Sequence, residues 1–352
     1  MAGKVSVHED RRDDDLAILR KIITLPNGLS FMTPTKSIKK AKERVSLHQH
    51  LVVNEITRRI DDSVLSSLEA GAASRRERDI KNEFLSKKLN LTIFNLTFDQ
   101  KPQTESIRTL AQHLYACSES IIVIPTVRLS LLKEKNERSY SESRLAELLS
   151  MLRQIVSEIE VVGNSKPLMG TIPLLPIKYA RPILEFYRSL GLNSYAIDAN
   201  TKDIFLHLTD LRTILSEINE HCPLSESFIY GCNLGYPRYE GEMTRADDFL
   251  SIFAYIDIMG CTFKIRGLYP SYVQPKLKRF DSDEYSYSVT RSRLRSRALL
   301  EHLNQTDQLG EAHKVRDSIG EERMRDYVQT KKAVDRLTLE RLESIATRIK
   351  VT

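Results

Sequence analysis

The run KPLMGTIPLLPIKYARPILEFYRSLGLNSYAIDA, residues 166–199, decides the fold. LMGTIPLL and NSYAIDA are short apolar runs bounded by turn-forming residues, the pattern of buried strands. Between them, IKYARPILEFYRSLG repeats apolar residues at helical spacing and stops at Gly191, the residue that a helix C-terminus favours. A strand, a helix and a second strand at this spacing form a crossover that lays the two strands parallel, with the helix on one face.

The alternation extends outward. LNLTIFNLTF (89–98), SIIVIPTV (120–127), SFIYGCNL (227–234) and GCTFKIRGL (260–268) read as further buried strands, six in all with the two above. TESIRTLAQHLYAC (104–117), SESRLAELLSMLRQIVSEI (141–159), KDIFLHLTDLRTILSEINEH (202–221) and TRADDFLSIFAYIDIMG (244–260) read as helices, with Thr104 and Ser141 as N-caps of the first two. With one or two strands from the N-terminal region the count approaches eight. The fold class expected is α/β, a (β/α)8 TIM-like barrel with extra N-terminal and C-terminal helices.

The expected organisation has three parts. Residues 1–20 alternate acid and base with few apolar anchors, and read as a flexible segment that frays or forms a short surface helix. Residues 21–300 hold the barrel, entered through a hairpin at Pro26-Asn27-Gly28 and carrying inserted helices over 36–88. In that insert Val52, Val53, Ile56 and Ile60 recur at helical spacing, and Gly71 marks a break. Residues 301–352 read as a C-terminal helical extension in which Val334, Leu337, Leu342, Ile345 and Ile349 share one face.

Composition excludes several classes. No stretch approaches the roughly 18 apolar residues of a membrane span, and the start MAGKVSVHEDRRDDD has no apolar signal core, so a cytoplasmic protein without a membrane partner is expected. Cys117, Cys222, Cys232 and Cys261 form no close pair and read as buried thiols. His48 and His50 face different sides of a helix, and no histidine pair has metal-site spacing, so no metal is expected. P-loop, GxGxxG, HExxH and GxSxG patterns are absent, and no cofactor is expected.

In a parallel barrel, chemistry sits at the C-terminal ends of the strands. There the sequence offers Asn95 and Asp99, Arg128, Asp198 and Asn200, Asn233, and Lys264 and Arg266. Asp198, Asn95 and Asp99 are the catalytic candidates. Asp198 closes an apolar strand, as a general base would, and it equally suits capping a helix that starts near Thr201. Asp247 and Asp248 open a helix and read as caps.

Net charge is +6, and residues 264–298 hold nine Lys/Arg against three acids. Lys264, Arg266, Lys276, Lys278, Arg279, Arg291, Arg293, Arg295 and Arg297 are therefore the nucleic-acid-binding candidates. They are interleaved with Tyr269, Tyr272, Phe280, Tyr285 and Tyr287, the chemistry of phosphate contact plus base stacking. A solvated face or a strip for an acidic protein partner fits the same composition.

Read in order, FMTPT (31–35), SESIIVIPTVRL (118–129), residues 166–197, RADDFLSIFAYIDIMGCTF (245–263) and RSRALLEHLNQTDQLGEAHKVRDSI (295–319) resemble the tRNA-guanine transglycosylases. The likeness is strongest to the archaeal archaeosine-forming branch and its DNA 7-deazaguanine relatives. It implies a barrel that exchanges a base in tRNA or DNA through a nucleophilic aspartate, with a second aspartate assisting. Ile265 stands where the nucleophile is expected, and His302 lacks the three cysteines that would complete the family's zinc site. The resemblance thus implies a transglycosylase-like barrel in nucleic-acid base modification, as a catalytically impaired or accessory subunit on the phosphate backbone. Two alternatives stay open: a non-catalytic protein-interaction or homo-oligomerising barrel, and a barrel enzyme on a small metabolite using Asp198 with Arg128 or Lys264.

Overall fold

The computed structural model describes residues 4–13, 15–39, 51–98, 101–127, 132, 140–235, 242–262, 278–289, 297–321 and 323–349. The chain opens with an antiparallel meander, β1 (Ser6–Asp13), β2 (Ile18–Thr24) and β3 (Ser30–Thr33). Parallel strands follow: β4 (Thr35–Lys36), β5 (Val53–Ile60), β6 (Leu89–Leu96), β7 (Ile122–Val123), β8 (Thr126–Val127), β9 (Leu168–Pro173), β10 (Ser194–Asp198) and β11 (Phe228–Cys232). After β12 (Met243–Arg245) comes a last parallel strand, β13 (Ile258–Met259), and then β14 (Lys278–Asp281) and β15 (Ser286–Val289).

The helices are α1 (Asp62–Ser67), α2 (Ala73–Lys81), α3 (Thr104–Cys117), α4 (Glu142–Val162), α5 (Ile177–Ser189), α6 (Leu208–Asn219), α7 (Asp247–Leu250), α8 (Arg297–Ser318), α9 (Met324–Gln329) and α10 (Arg336–Arg348). Among the described residues no helix is long and apolar enough to cross a membrane.

The parallel strands form a sheet in the order β4-β13-β11-β10-β9-β7 and another in the order β5-β6-β8. Two links connect them. Ile38, just past β4, bridges Asn54 of β5, with backbone bonds from Ile38 to Val53 and from Glu55 to Ile38, both 3.0 Å. At the other edge β7 and β8 are successive pieces of one stretch, the first pairing with β9 and the second with β6.

Residues alternate between two cores, as strands covered on both faces require. Ile93, Val123, Met169, Ala196, Tyr230 and Ile258 join one cluster on the inner side. Their neighbours Phe94, Ile122, Ile172, Ile197 and Ile229 pack outward with the apolar faces of α3 to α6. Val5, Ile23, Leu25 and Phe31 of the meander join the inner cluster.

From β6 to β11 the chain follows the sequence expectation in its alternation of strand and helix, and Gly191 ends α5 in the left-handed conformation at φ +66°, but residues 244–260, expected as one helix, hold the end of β12, the short α7 and β13. Five further expectations are corrected. Residues 6–13 are a strand, because pairing from Ser6 with Thr24 to Asp13 with Ile18 gives the charged segment a backbone partner that its composition conceals. Residues 53–60 are β5 and no helix: Val53, Ile56 and Ile60 imitate helical spacing only because Glu55 is buried as well, and a run buried on both faces carries no period.

Ser141 does cap α4, accepting from the Arg144 amide at 3.4 Å, whereas Gln103 and not Thr104 occupies the N-cap position of α3. Within the stretch expected as an extended loop, β14 and β15 form a hairpin that pairs with β12, because Phe280, Tyr285 and Tyr287 bury their rings against Phe249 and one another. On the C-terminal helix Leu337 is exposed, and Leu339 turns inward with Leu342 and Ile345.

The hairpin and the last helices are joined by a buried carboxylate. Glu311 of α8 accepts from Tyr285 Oη at 2.9 Å, Tyr327 Oη at 2.7 Å and Lys331 Nζ at 3.3 Å. Glu311→Ala is expected to leave these three donors unmatched and to cost about 3 kcal/mol in urea unfolding. A loss within experimental error of zero would mean that the network is incidental to the packing.

Candidate functional site

The inner faces of the strands carry polar residues, at the C-terminal ends of β6, β10 and β11 for Asn95, Asp198 and Cys232, mid-strand in β9 for Thr171 and near the start of β5 for Glu55. Two residues beyond Ile93, Met169, Ala196 and Val53, members of the inner cluster, stand Asn95, Thr171, Asp198 and Glu55, and Cys232 itself belongs to that cluster. Period-two alternation sets all five toward the same interior. All five are buried.

Asp198 is 2% exposed. Its Oδ1 accepts from the Asn200 amide at 2.8 Å and from Asn233 Nδ2 at 2.9 Å. Its Oδ2 accepts no hydrogen bond from any described residue. Burial pushes the carboxyl up to about 6, against the opposing pull of Asn233, Asn200 and Lys202. The alternative of a helix cap is excluded, because α6 starts only at Leu208.

Glu55 presents the opposite environment. Oε2 accepts from Tyr230 Oη, the Cys261 amide at 2.7 Å and Ser37 Oγ at 3.0 Å. Oε1 accepts from Thr57 Oγ1 at 3.1 Å and faces Lys39 Nζ at 3.4 Å. Burial raises its pKa, but Lys39, Tyr230 and the Cys261 amide outweigh it and hold the carboxyl below its usual range. Lys39 is correspondingly raised: burial works against its charge, and Glu55 and Cys261 more than offset that.

Cys232 feels both carboxylates. Burial, then Asp198, then Glu55 drive its thiol well above the ordinary range, so it stays protonated. Cys117, Cys232 and Cys261 are buried thiols as expected, while Cys222 is half-exposed. Asn95 Oδ1 is buried with no hydrogen-bond partner among the described residues, an unsatisfied acceptor facing the same interior. Above it on the strand ends, Arg59 donates to Thr97 Oγ1 at 2.9 Å, and Lys202 donates to the Leu174 carbonyl at 2.9 Å.

Asp198 and Asn95 stand on inner faces near the ends of β10 and β6, strands that are not neighbours, and Asp99 and Arg128 lie outside the described residues. So do Lys264, Arg266, Lys276, Arg291, Arg293 and Arg295, together with the side chain of Arg297. Lys278 donates to Thr244 Oγ1, and Arg279 pairs with Asp307 at 2.6 Å. The stacking role expected of Phe280, Tyr285 and Tyr287 is corrected, since their rings lie in the core at 3%, 0% and 4% exposure.

Asp247 and Asp248 do more than begin a short helix. The first pairs with Arg245, and the second accepts from Tyr287 Oη at 2.6 Å and Gln308 Nε2 at 3.2 Å, tying hairpin and α8 together. Among the described residues three potential metal ligands meet at Glu217, Glu220 and His221, at the far end of α6, where Glu217 already pairs with Arg181.

Sequence reasoning missed Glu55, Lys39 and Tyr230. Glu55 and Lys39 fall within residues read as inserted helices, and Tyr230 looks like any aromatic of a buried strand. No protein-family model and no curated protein matches the chain.

Asp198 also sets a pH signature. A carboxyl raised from 3.8 to about 6 binds more protons folded than unfolded across that interval, so its contribution to stability falls as pH rises through it. The neutral near-isostere Asp198→Asn lacks this penalty. Its stability relative to wild type is therefore expected to rise between pH 4 and pH 7, as read by urea unfolding at the two limits. A constant difference would contradict the raised carboxyl.

Proposed function

We propose that the parallel strands close into a (β/α)8 barrel and that its C-terminal mouth is an acid–base site acting on a base of tRNA or DNA, in the manner of a transglycosylase-like barrel. Closure is supported by the order of pairings, which runs from β4 through β5, β6, β7 with β8, β9, β10 and β11 to β13 and back to β4, with the bridge between Ile38 and Asn54 as the joint. The observation that carries the functional reading is the Asp198 carboxyl: buried at the end of β10, fixed through one oxygen and accepting no hydrogen bond from the described residues at the other. A carboxylate poised near neutrality at that position suits a general base.

In this arrangement Asp198 Oδ2 takes the ring N–H proton of the incoming base as that nitrogen bonds the ribose C1′, the C1′–N bond to the outgoing base breaks, and the proton passes from Asp198 to the base that leaves, while Asn95 Oδ1 accepts from an N–H of the bound ring. The collinear likeness to the transglycosylases supplies the substrate class. The test is incorporation of labelled guanine or a 7-deazaguanine into tRNA and into duplex DNA, with binding measured over a salt series. Incorporation that Asp198→Asn removes supports the proposal; binding to neither nucleic acid at low salt overturns its substrate class.

A second reading, a barrel enzyme on a small metabolite, is favoured by the core placement of Phe280, Tyr285 and Tyr287, which removes three of the five aromatic groups expected to stack bases. It keeps the same Asp198 chemistry and needs no polymer. Turnover on free nucleosides without tRNA or DNA would select it.

A further inference from the structure

The loops that follow β10 and β11 are zipped together past the ends of both strands. Ala199 N donates to Cys232 O at 2.9 Å, Thr201 N to Asn233 O at 2.8 Å and Gly235 N to Lys202 O at 3.0 Å. Asp203 and Gly235 add a parallel bridge. Three residues other than glycine take left-handed backbone to achieve this: Asn200 at φ +50°, Thr201 at +61° and Asn233 at +51°. Asparagine tolerates that region, but a β-branched threonine does not adopt it without strain. Such strain persists only where the surroundings over-determine it.

The close approach leaves no room at position 235. A Cβ added to Gly235 would stand 2.2 Å from the Thr201 carbonyl oxygen and 2.8 Å from that of Lys202. The product of this construction is the clamp on Asp198: one loop offers the Asn200 amide, the other the Asn233 side-chain amide, and both reach Oδ1.

We propose that Asn233 is a positioning residue, held left-handed by the zipped loops so that it takes Asp198 Oδ1 out of play and leaves Oδ2 as the one oxygen facing the mouth. The inference rests on the proposed role of Asp198 as the reacting carboxyl. It assigns Gly235 a share in the same task, as the residue whose missing side chain lets the two loops touch.

The test uses the full chain with aspartate carboxyl carbons labelled with carbon-13, the Asp198 resonance being assigned through Asp198→Asn. Asn233→Gly keeps a residue that accepts positive φ and removes the side-chain amide, so the titration midpoint of Asp198 is expected to rise by roughly one pH unit as the ionised form loses a donor. Gly235→Ala is expected to move it in the same direction by prising the loops apart. Thr201→Gly, which relieves strain without touching the clamp, should leave the midpoint in place.

In the incorporation assay, Asn233→Gly is expected to lower kcat about tenfold with KM little changed and to shift the pH profile with the carboxyl. An Asp198 midpoint unmoved by Asn233→Gly overturns the inference, whatever the activity does. A moved midpoint in a protein whose Asp198→Asn form stays fully active supports the clamp and overturns the acid–base role of Asp198 instead. Should Gly235→Ala fail to fold, Asn233→Gly alone decides.

Discussion

Lys21→Ala is expected to destabilise the protein by roughly 3 to 5 kcal/mol, measured by urea unfolding at neutral pH. Lys21 is fully buried on β2, and its Nζ lies 2.9 Å and 3.0 Å from the two carboxyl oxygens of Asp257 and 2.8 Å from the Ser227 carbonyl. Asp257 in turn accepts from the Ile229 amide at 2.7 Å, so the pair pins the meander to the start of β11 and the approach to β13. Burial raises the Asp257 carboxyl, and Lys21 is the main force against it.

Without Lys21 the carboxylate is left uncompensated and must take up a proton to remain inside. The variant then holds a carboxyl raised further above its unfolded value, and its stability falls as pH rises above 3.8. The deficit relative to wild type should accordingly be smaller at pH 4 than at pH 8. Replacing both partners with apolar residues, Lys21→Met with Asp257→Leu, is expected to recover most of the loss, because the expense lies in the unpaired charge more than in the missing bond. A single-variant loss below about 1 kcal/mol would overturn the assignment of this pair as the fastening of the meander.

The residues that revealed the fold are those whose environment is regular. β9, α5 and β10 were legible because a fully buried strand is a short apolar run, an outer helix has one apolar stripe, and Gly191 marks the turn between them. β1 was hidden because its stability lies in backbone pairing with β2 and in charge pairs such as Arg12 with Glu9, neither of which leaves an apolar period. β5 was misread because burial on both faces erases the alternation that separates strand from helix. The basic stretch held a clue in its aromatic residues: Phe280 of β14 and Tyr287 of β15 face each other across the hairpin, and Tyr285 sits in the turn before β15 at φ +55°.

The site divides along the same line. Asp198 could be found because it ends an apolar run, so position alone singles it out. Glu55 could not, since its partners Tyr230 and Cys261 lie 175 and 206 positions away and no local spacing encodes them. Asn95 was reachable by position, but that its oxygen finds no hydrogen-bond partner among the described residues is a property of the folded surroundings alone.

Asp198→Asn is expected to lower kcat for base incorporation by roughly 10² to 10⁴-fold, the contribution of one well-placed general base. The amide keeps the shape of the carboxyl and can still be held by its neighbours, so substrate binding should change little and the loss should fall on turnover. Wild-type activity should rise with pH through about 6, because the ionised carboxylate is the working form. Glu55→Gln provides the contrast: both Glu55 oxygens are already occupied, so it should disturb Lys39 and stability more than the proton-transfer step. If Asp198→Asn kept more than a tenth of the turnover and the same pH dependence, Oδ2 at the end of β10 would have no part in the chemistry, and Asn95 would lose its proposed role as well.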